Sequence, residues 1–192
     1  MALPRIAARR VYAQLTRGGG LAEVTILAFP ATQLLRNGGD RIEVRGSELE
    51  IGLSGGAEGA PAGLATLDGF REVDVELVRF RAGPFAVSAF VLTRSSGGTY
   101  AMAAEARISS AELARLGAAR LRTLPGGALL EAAAPVASLA SRDVPVSIQV
   151  ALSSEASGLR VLSGGGTIAG YPAGPIATAI AAAVARRLEI AP

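Results

Sequence analysis

The segment EVDVELVRFR at residues 72–81 decides the fold. Val73, Val75 and Leu77 alternate with Glu72, Asp74 and Glu76, a period of two that gives a strand one apolar and one charged face. Val78 and Phe80 then alternate with Arg79 and Arg81, so the apolar set changes parity midway. A strand changes phase only through a bulge, a bend or a turn, and bulges increase twist and curvature. Residues 40–53 repeat the pattern: Ile42 and Val44 oppose Arg41, Glu43 and Arg45, and beyond Gly46 the phase moves to Leu49, Ile51 and Leu53. Two long strands with such changes predict a strongly bent antiparallel sheet.

Downstream, Gly83-Pro84 is a turn into a strand over residues 85–93, and Ser95-Ser96-Gly97-Gly98 is a turn into another over 99–108, which makes a meander. In the first of these, Phe85, Val87, Ala89 and Val91 share one face while Ala86, Phe90 and Leu92 share the other, a pattern expected of a strand covered on both sides. Ser109 and Glu112 form a capping box for a helix through Leu113, Leu116 and Leu121, broken at Pro125-Gly126-Gly127, with a second Ala-rich piece at 128–134. Val144, Val146, Ile148, Val150 and Leu152 alternate with small polar residues, and Ser157-Gly158 turns the chain into a return strand over 159–168. A closing helix over 173–189 places Ile176, Ile180, Val184 and Leu188 in one stripe beside Ala177 and Ala181.

Upstream, Pro4 opens a helix with Ala7, Val11 and Leu15 at helical spacing, and Gly18-Gly19-Gly20 stops it. Residues 21–29 read as a strand with Val24, Ile26 and Ala28 on one face; Pro30 ends it, and 31–36 form one or two helical turns. The glycine-rich stretch 55–63 has neither phosphate-loop spacing nor Lys and reads as a connection.

Half of the 192 residues are apolar, enough for one domain over residues 1–192 with a sizeable core. The chain has no His, Cys or Trp, so the usual general bases, thiol nucleophiles and soft metal ligands are missing. No catalytic residue, metal site or cofactor is expected. A carboxylate-only enzyme would need two acids facing one site, and Glu72, Asp74 and Glu76 at period two read instead as a solvated strand face. All 19 basic residues are arginine, which with the Ala and Gly richness reads as codon bias. At a net charge of +3, with arginines scattered among glutamates, no nucleic-acid partner is expected. Residues 1–17 carry Arg5, Arg9, Arg10 and Arg17 and lack the apolar run of a signal peptide, while the apolar stretch 173–185 is shorter than the roughly 20 residues that span a bilayer.

The order of elements resembles the LmeA-type phospholipid-binding family, long known as a domain of unknown function. The resemblance rests on the run from Val24 to Val44 with Phe29-Pro30 between strand and short helix, and on the strand-to-helix junction Ile108-Ser109-Ser110 followed by Glu112-Leu113. The ending, Val144 to Leu188, is also similar. It covers residues 3–188 and implies an α+β, TULIP-like architecture, a long curved antiparallel sheet wrapped around packing helices, with a lipid-holding groove between them. It also implies a cell-envelope, extracytoplasmic setting for a chain whose leader was removed; without one, the expectation is a cytoplasmic or membrane-peripheral protein.

Non-catalytic binding or transfer of a phospholipid or related envelope lipid is therefore the expected function, with the membrane surface as a further partner. The candidate groove lining is Phe29, Leu34, Phe80, Phe85, Val87, Ile148, Val150, Ile176, Ile180 and Val184. Arg79 and Arg81 are the headgroup candidates, against a plainer role in cross-strand pairing with glutamates. Arg186 and Arg187, at a helix C-terminus, are accounted for by the helix dipole. The alternative function is a dry-cored module that docks another envelope protein. Burial is worth about 25 cal/mol per Å² against side chain or lipid tail alike, so composition does not separate the two.

Overall fold

The structure, a computed structural model, describes residues 3–36, 38–51, 67–94, 98–113, 143–155 and 158–173. Helix α1 (Leu3–Leu15) runs into a 3-10 turn (Thr16–Gly18) and then strand β1 (Leu21–Leu27); a second 3-10 turn (Ala31–Arg36) leads to β2 (Gly38–Ser47) and the short β3 (Glu50–Ile51). There follow β4 (Gly69–Ala82), β5 (Phe85–Arg94), β6 (Thr99–Ser109), β7 (Asp143–Glu155), β8 (Gly158–Ile168) and the two-residue β9 (Tyr171–Pro172). The strands form one open sheet in the order β1-β2-β4-β5-β6-β7-β8-β9, with β3 also paired to β4. The architecture is a mixed α+β fold dominated by a long, curved, mostly antiparallel sheet.

Phase changes create the curvature. In β4, Val73, Val75 and Leu77 are buried on the same face as Phe80 and Ala82, because Arg79 between them takes a left-handed backbone conformation (φ +48°). A non-glycine residue there is uncommon and costs about 1–3 kcal/mol, so the surrounding pairing must hold it. The neighbouring strand makes the same move in register. Ser47 pairs Val78 and Glu50 pairs Arg81, and between them Glu48, beside Arg79, also has a positive φ of +56°. The Glu48 N–H is shared between the carbonyls of Val78 and Arg79, which ties the two bends together.

The third bend corrects the reading of β5 as a strand covered on both faces. Its register against β6 shifts between Val87 and Ala89, a bulge at Ser88. The Ser88 hydroxyl donates to the Glu105 carbonyl across that bulge at 3.0 Å. The shift puts Phe85, Val87, Phe90 and Leu92 on one buried face and leaves Ala86, Ser88 and Val91 exposed. What reads as two apolar faces is one face interrupted by a phase change. The rings of Phe80 and Phe90, on either side of the bend line, meet edge to face with centroids 6.3 Å apart.

A second correction concerns direction: β2 and β4 pair in parallel, as do β3 and β4, within a sheet expected to be antiparallel throughout. Parallel neighbours need a long crossover, and residues 52–66 separate β3 from the approach to β4. Gly46 permits the close approach at the end of this pair, since a Cβ there would stand 2.8 Å from Leu49 Cδ1 and 2.9 Å from Leu77 Cδ2.

All other pairs are antiparallel. Tyr100, Met102 and Ile108 of β6, and Val144, Val146, Ile148, Val150 and Leu152 of β7, keep one phase and join one hydrophobic cluster with the buried faces of β4 and β5. Ala7, Val11 and Leu15 of α1 belong to the same cluster, and α1 packs against β1 and the Ala31–Arg36 turn. Near the start of β4, Arg94 Nη1 donates to the carbonyls of Asp68 (2.8 Å) and Phe70 (2.9 Å), its guanidinium lies 5.2 Å from the Tyr100 ring centroid, and the Tyr100 hydroxyl donates to Asp68 Oδ1 at 2.8 Å. Ser109 caps the helical turn at residues 110–113 by accepting the Glu112 N–H at 3.3 Å, as the sequence predicts. The expected helix beyond Leu113, the piece at 128–134 and the closing helix lie outside the described residues. Among those described, no helix is long and apolar enough to cross a membrane.

Candidate functional site

The line of bends opens a depression on the sheet. It has a volume of about 660 Å³ and is lined by Arg79, Phe80 and Arg81 of β4, by Ala86, Val87 and Ser88 of β5, by Arg107 of β6, and by Gly18 and residues 48–50. Its polar wall follows from register. Glu50 pairs Arg81, Arg81 pairs Ala86, and Ala86 pairs Arg107, so four positions form one row across β3, β4, β5 and β6. All four are exposed, which places them on the solvent face. Arg81 and Arg107 stand two strand spacings apart, roughly 10 Å, with only the methyl group of Ala86 between them.

Among the described residues no carboxylate lies within 4 Å of Arg81 or Arg107. Arg79 reaches Glu48 at 4.0 Å, a loose contact between two exposed side chains. Such a pair is screened and gives up little when either partner turns to a ligand. A guanidinium offers a planar fork of donors suited to carboxylate and phosphate oxygens. The Ser88 hydroxyl is committed to the Glu105 carbonyl, so it serves as the pin of the bulge.

The structure brings Arg79 and Arg81 into one depression; Phe80 and Val87 border it as well, but they are at most 8% exposed and turn into the hydrophobic cluster, on the face of the sheet opposite Arg81 and Ala86. Phe85, Ile148 and Val150 sit in the hydrophobic cluster, and Leu34 packs against it while partly buried. Phe29 stands apart: it follows β1 and is 87% exposed. Ile176, Ile180 and Val184 lie outside the described residues. Arg107 joins the site without having stood out in the sequence, where it is one of several arginines in alternating strands. Only the β5–β6 register aligns it with Arg81.

The carboxylates of β4 face a different neighbour. Arg45 of β2 contacts Glu43 (3.2 Å), Asp74 (3.1 Å) and Glu76, while Arg41 reaches Glu43 (3.5 Å) and Asp74 (3.8 Å). This ladder joins the charged faces of the parallel pair. Among the described residues no group of three carboxylates could hold a metal ion. A smaller depression of about 390 Å³ adjoins the ladder, lined by residues 21–23 of β1, 45–47 of β2, and Glu76 and Val78 of β4. Comparison with family models, with curated proteins and with solved structures finds no match to this chain.

Proposed function

We propose that this protein binds a phospholipid or a related anionic lipid without catalysing a reaction on it. The observation that carries the reading is the depression at the bend line, where Arg79, Arg81 and Arg107 stand around a gap over Ala86. A phosphate diester between Arg81 and Arg107 would meet two guanidinium forks at once. The resemblance to the LmeA-type family favours the same class of ligand, and a TULIP-like arrangement of helices under the sheet belongs to this proposal.

The test is native mass spectrometry of gently purified protein, followed by solvent extraction and lipid analysis. Near-stoichiometric phospholipid in the wild type, reduced at least about tenfold in an R81Q/R107Q variant, is the expected result. A second reading, a dry-cored module for another protein, is favoured by the packing of Phe85, Ile148 and Val150 within one continuous cluster. A clean apo mass that persists after incubation with liposomes would overturn the lipid reading and leave this one.

A further inference from the structure

The edge of the sheet at α1 carries a second surface, built from different residues. Helix α1, LPRIAARRVYAQL, has no acidic residue, and its buried stripe of Ala7, Val11 and Leu15 turns Arg5, Ile6, Arg9 and Arg10 outward. Only five residues join α1 to β1, so the two elements run antiparallel and the start of α1 lies near the end of β1. The contact of α1 with the Ala31–Arg36 turn agrees with this. At that same end the large apolar side chains face solvent: Leu27 is 55% exposed, Phe29 87%, Leu35 72% and Ile6 49%. Phe29 is held outward by its backbone, whose N–H donates to Asp40 Oδ2 at 2.7 Å and whose carbonyl accepts from Gln33 Nε2 at 2.8 Å. Arg36 closes the turn, exposed as well. Among the described residues none of Arg5, Arg9, Arg10 and Arg36 has a carboxylate within 4 Å.

We infer that this end of the molecule docks on an anionic lipid bilayer, with Phe29 and Leu35 entering the interface and the four arginines against the headgroups. Unpaired cations alone would suit any polyanion. Their conjunction with projecting Phe and Leu side chains fits a surface that is negative at the headgroups and apolar just beneath. A small apolar ligand would require a cavity, whereas these side chains stand out from the surface. The inference extends the lipid reading by naming the surface from which lipid is taken, and it rests on that reading only for this purpose.

Sedimentation of the full chain with vesicles tests it. Binding is expected to phosphatidylcholine vesicles containing phosphatidylglycerol, to be weak on pure phosphatidylcholine, and to decline with salt. Each arginine near an anionic surface contributes about fivefold, so R5Q/R9Q/R10Q should weaken partition about 100-fold. F29S/L35S should weaken it at least about tenfold with the charge unchanged. All five positions are exposed, and circular dichroism of both variants should match the wild type. The R81Q/R107Q variant should still sediment with the vesicles, which separates failure of the headgroup site from failure of docking. Equal partition onto neutral and anionic vesicles, no partition at all, or binding unaffected by both variants would overturn the inference.

Discussion

If β4 changes phase at Arg79, Phe80 shares a face with Leu77 and with Phe90, the residue paired to Leu77; if β4 ran through in simple alternation, the two rings would lie on opposite faces. A double-mutant cycle with F80L, F90L and F80L/F90L measures the difference. Both side chains are at most 5% exposed and their rings meet at 6.3 Å and 89°. Each single substitution keeps most of the buried apolar area, so each should cost about 1–2 kcal/mol, small enough to leave the variants folded. An edge-to-face pair is worth about 0.5–1.5 kcal/mol beyond its area, and that is the coupling expected from the cycle. Urea unfolding followed by circular dichroism, with unchanged m-values, supplies the four free energies. Coupling below about 0.3 kcal/mol, within the additivity of separated sites, would refute the shared face and with it the bend that opens the depression.

Two further predictions concern the interior. Burial, and then the hydrogen bond to Asp68, hold the Tyr100 hydroxyl well above the ordinary tyrosine range. The folded protein therefore keeps a proton that the unfolded chain releases near pH 10, so this contribution is whole below about pH 10 and is lost as the pH rises beyond it. Y100F should cost about 1–3 kcal/mol at neutral pH and flatten the alkaline decline of stability in a pH series of urea melts. Gly164 has φ +118°, and a Cβ there would overlap the Gln149 carbonyl and the Val150 Cα, whereas Gly170, at φ +82°, has open space around it. G170A should cost about 1 kcal/mol and G164A clearly more, above about 2 kcal/mol, by thermal unfolding; equal costs would argue against the tight β7–β8 contact.

Much of the sheet is legible in the sequence because its alternation is strict. Val73 to Leu77, Ile42 to Val44 and Val144 to Leu152 give their buried faces directly, and the parity change at Arg79 announces the bend. In β5 the same signal was ambiguous. A bulge and a two-faced strand both place apolar residues at odd and even positions, and only the pairing of Val87 with Ala106 and of Ala89 with Glu105 separates them. The parallel course of β2 and β4 was hidden for a different reason: alternation has no direction, and both orientations bury Ile42 and Val75 equally well. The same holds for the site. Arg79 and Arg81 are neighbours in the chain, but Arg107 reaches Arg81 only through the register of two strand pairs. The docking edge depends on how α1 lies against β1, which helical spacing alone does not set.

The parallel pairing also divides the molecule in time. The Gly83-Pro84 turn joins β4 to β5 and only four residues separate β5 from β6, so this meander forms from neighbours in the chain at small entropic cost. β2 reaches β4 only after the crossover through residues 52–66 has closed, and it brings α1 and β1 with it through its own antiparallel pairing. The segment bearing the exposed Phe29 and Leu35 is thus joined to the sheet after the meander has formed and, by the same logic, is a part that can detach while the meander stays intact. In native-state hydrogen exchange, the amides of β1 and β2 should open as one cooperative unit at lower free energy than those of β4 to β6.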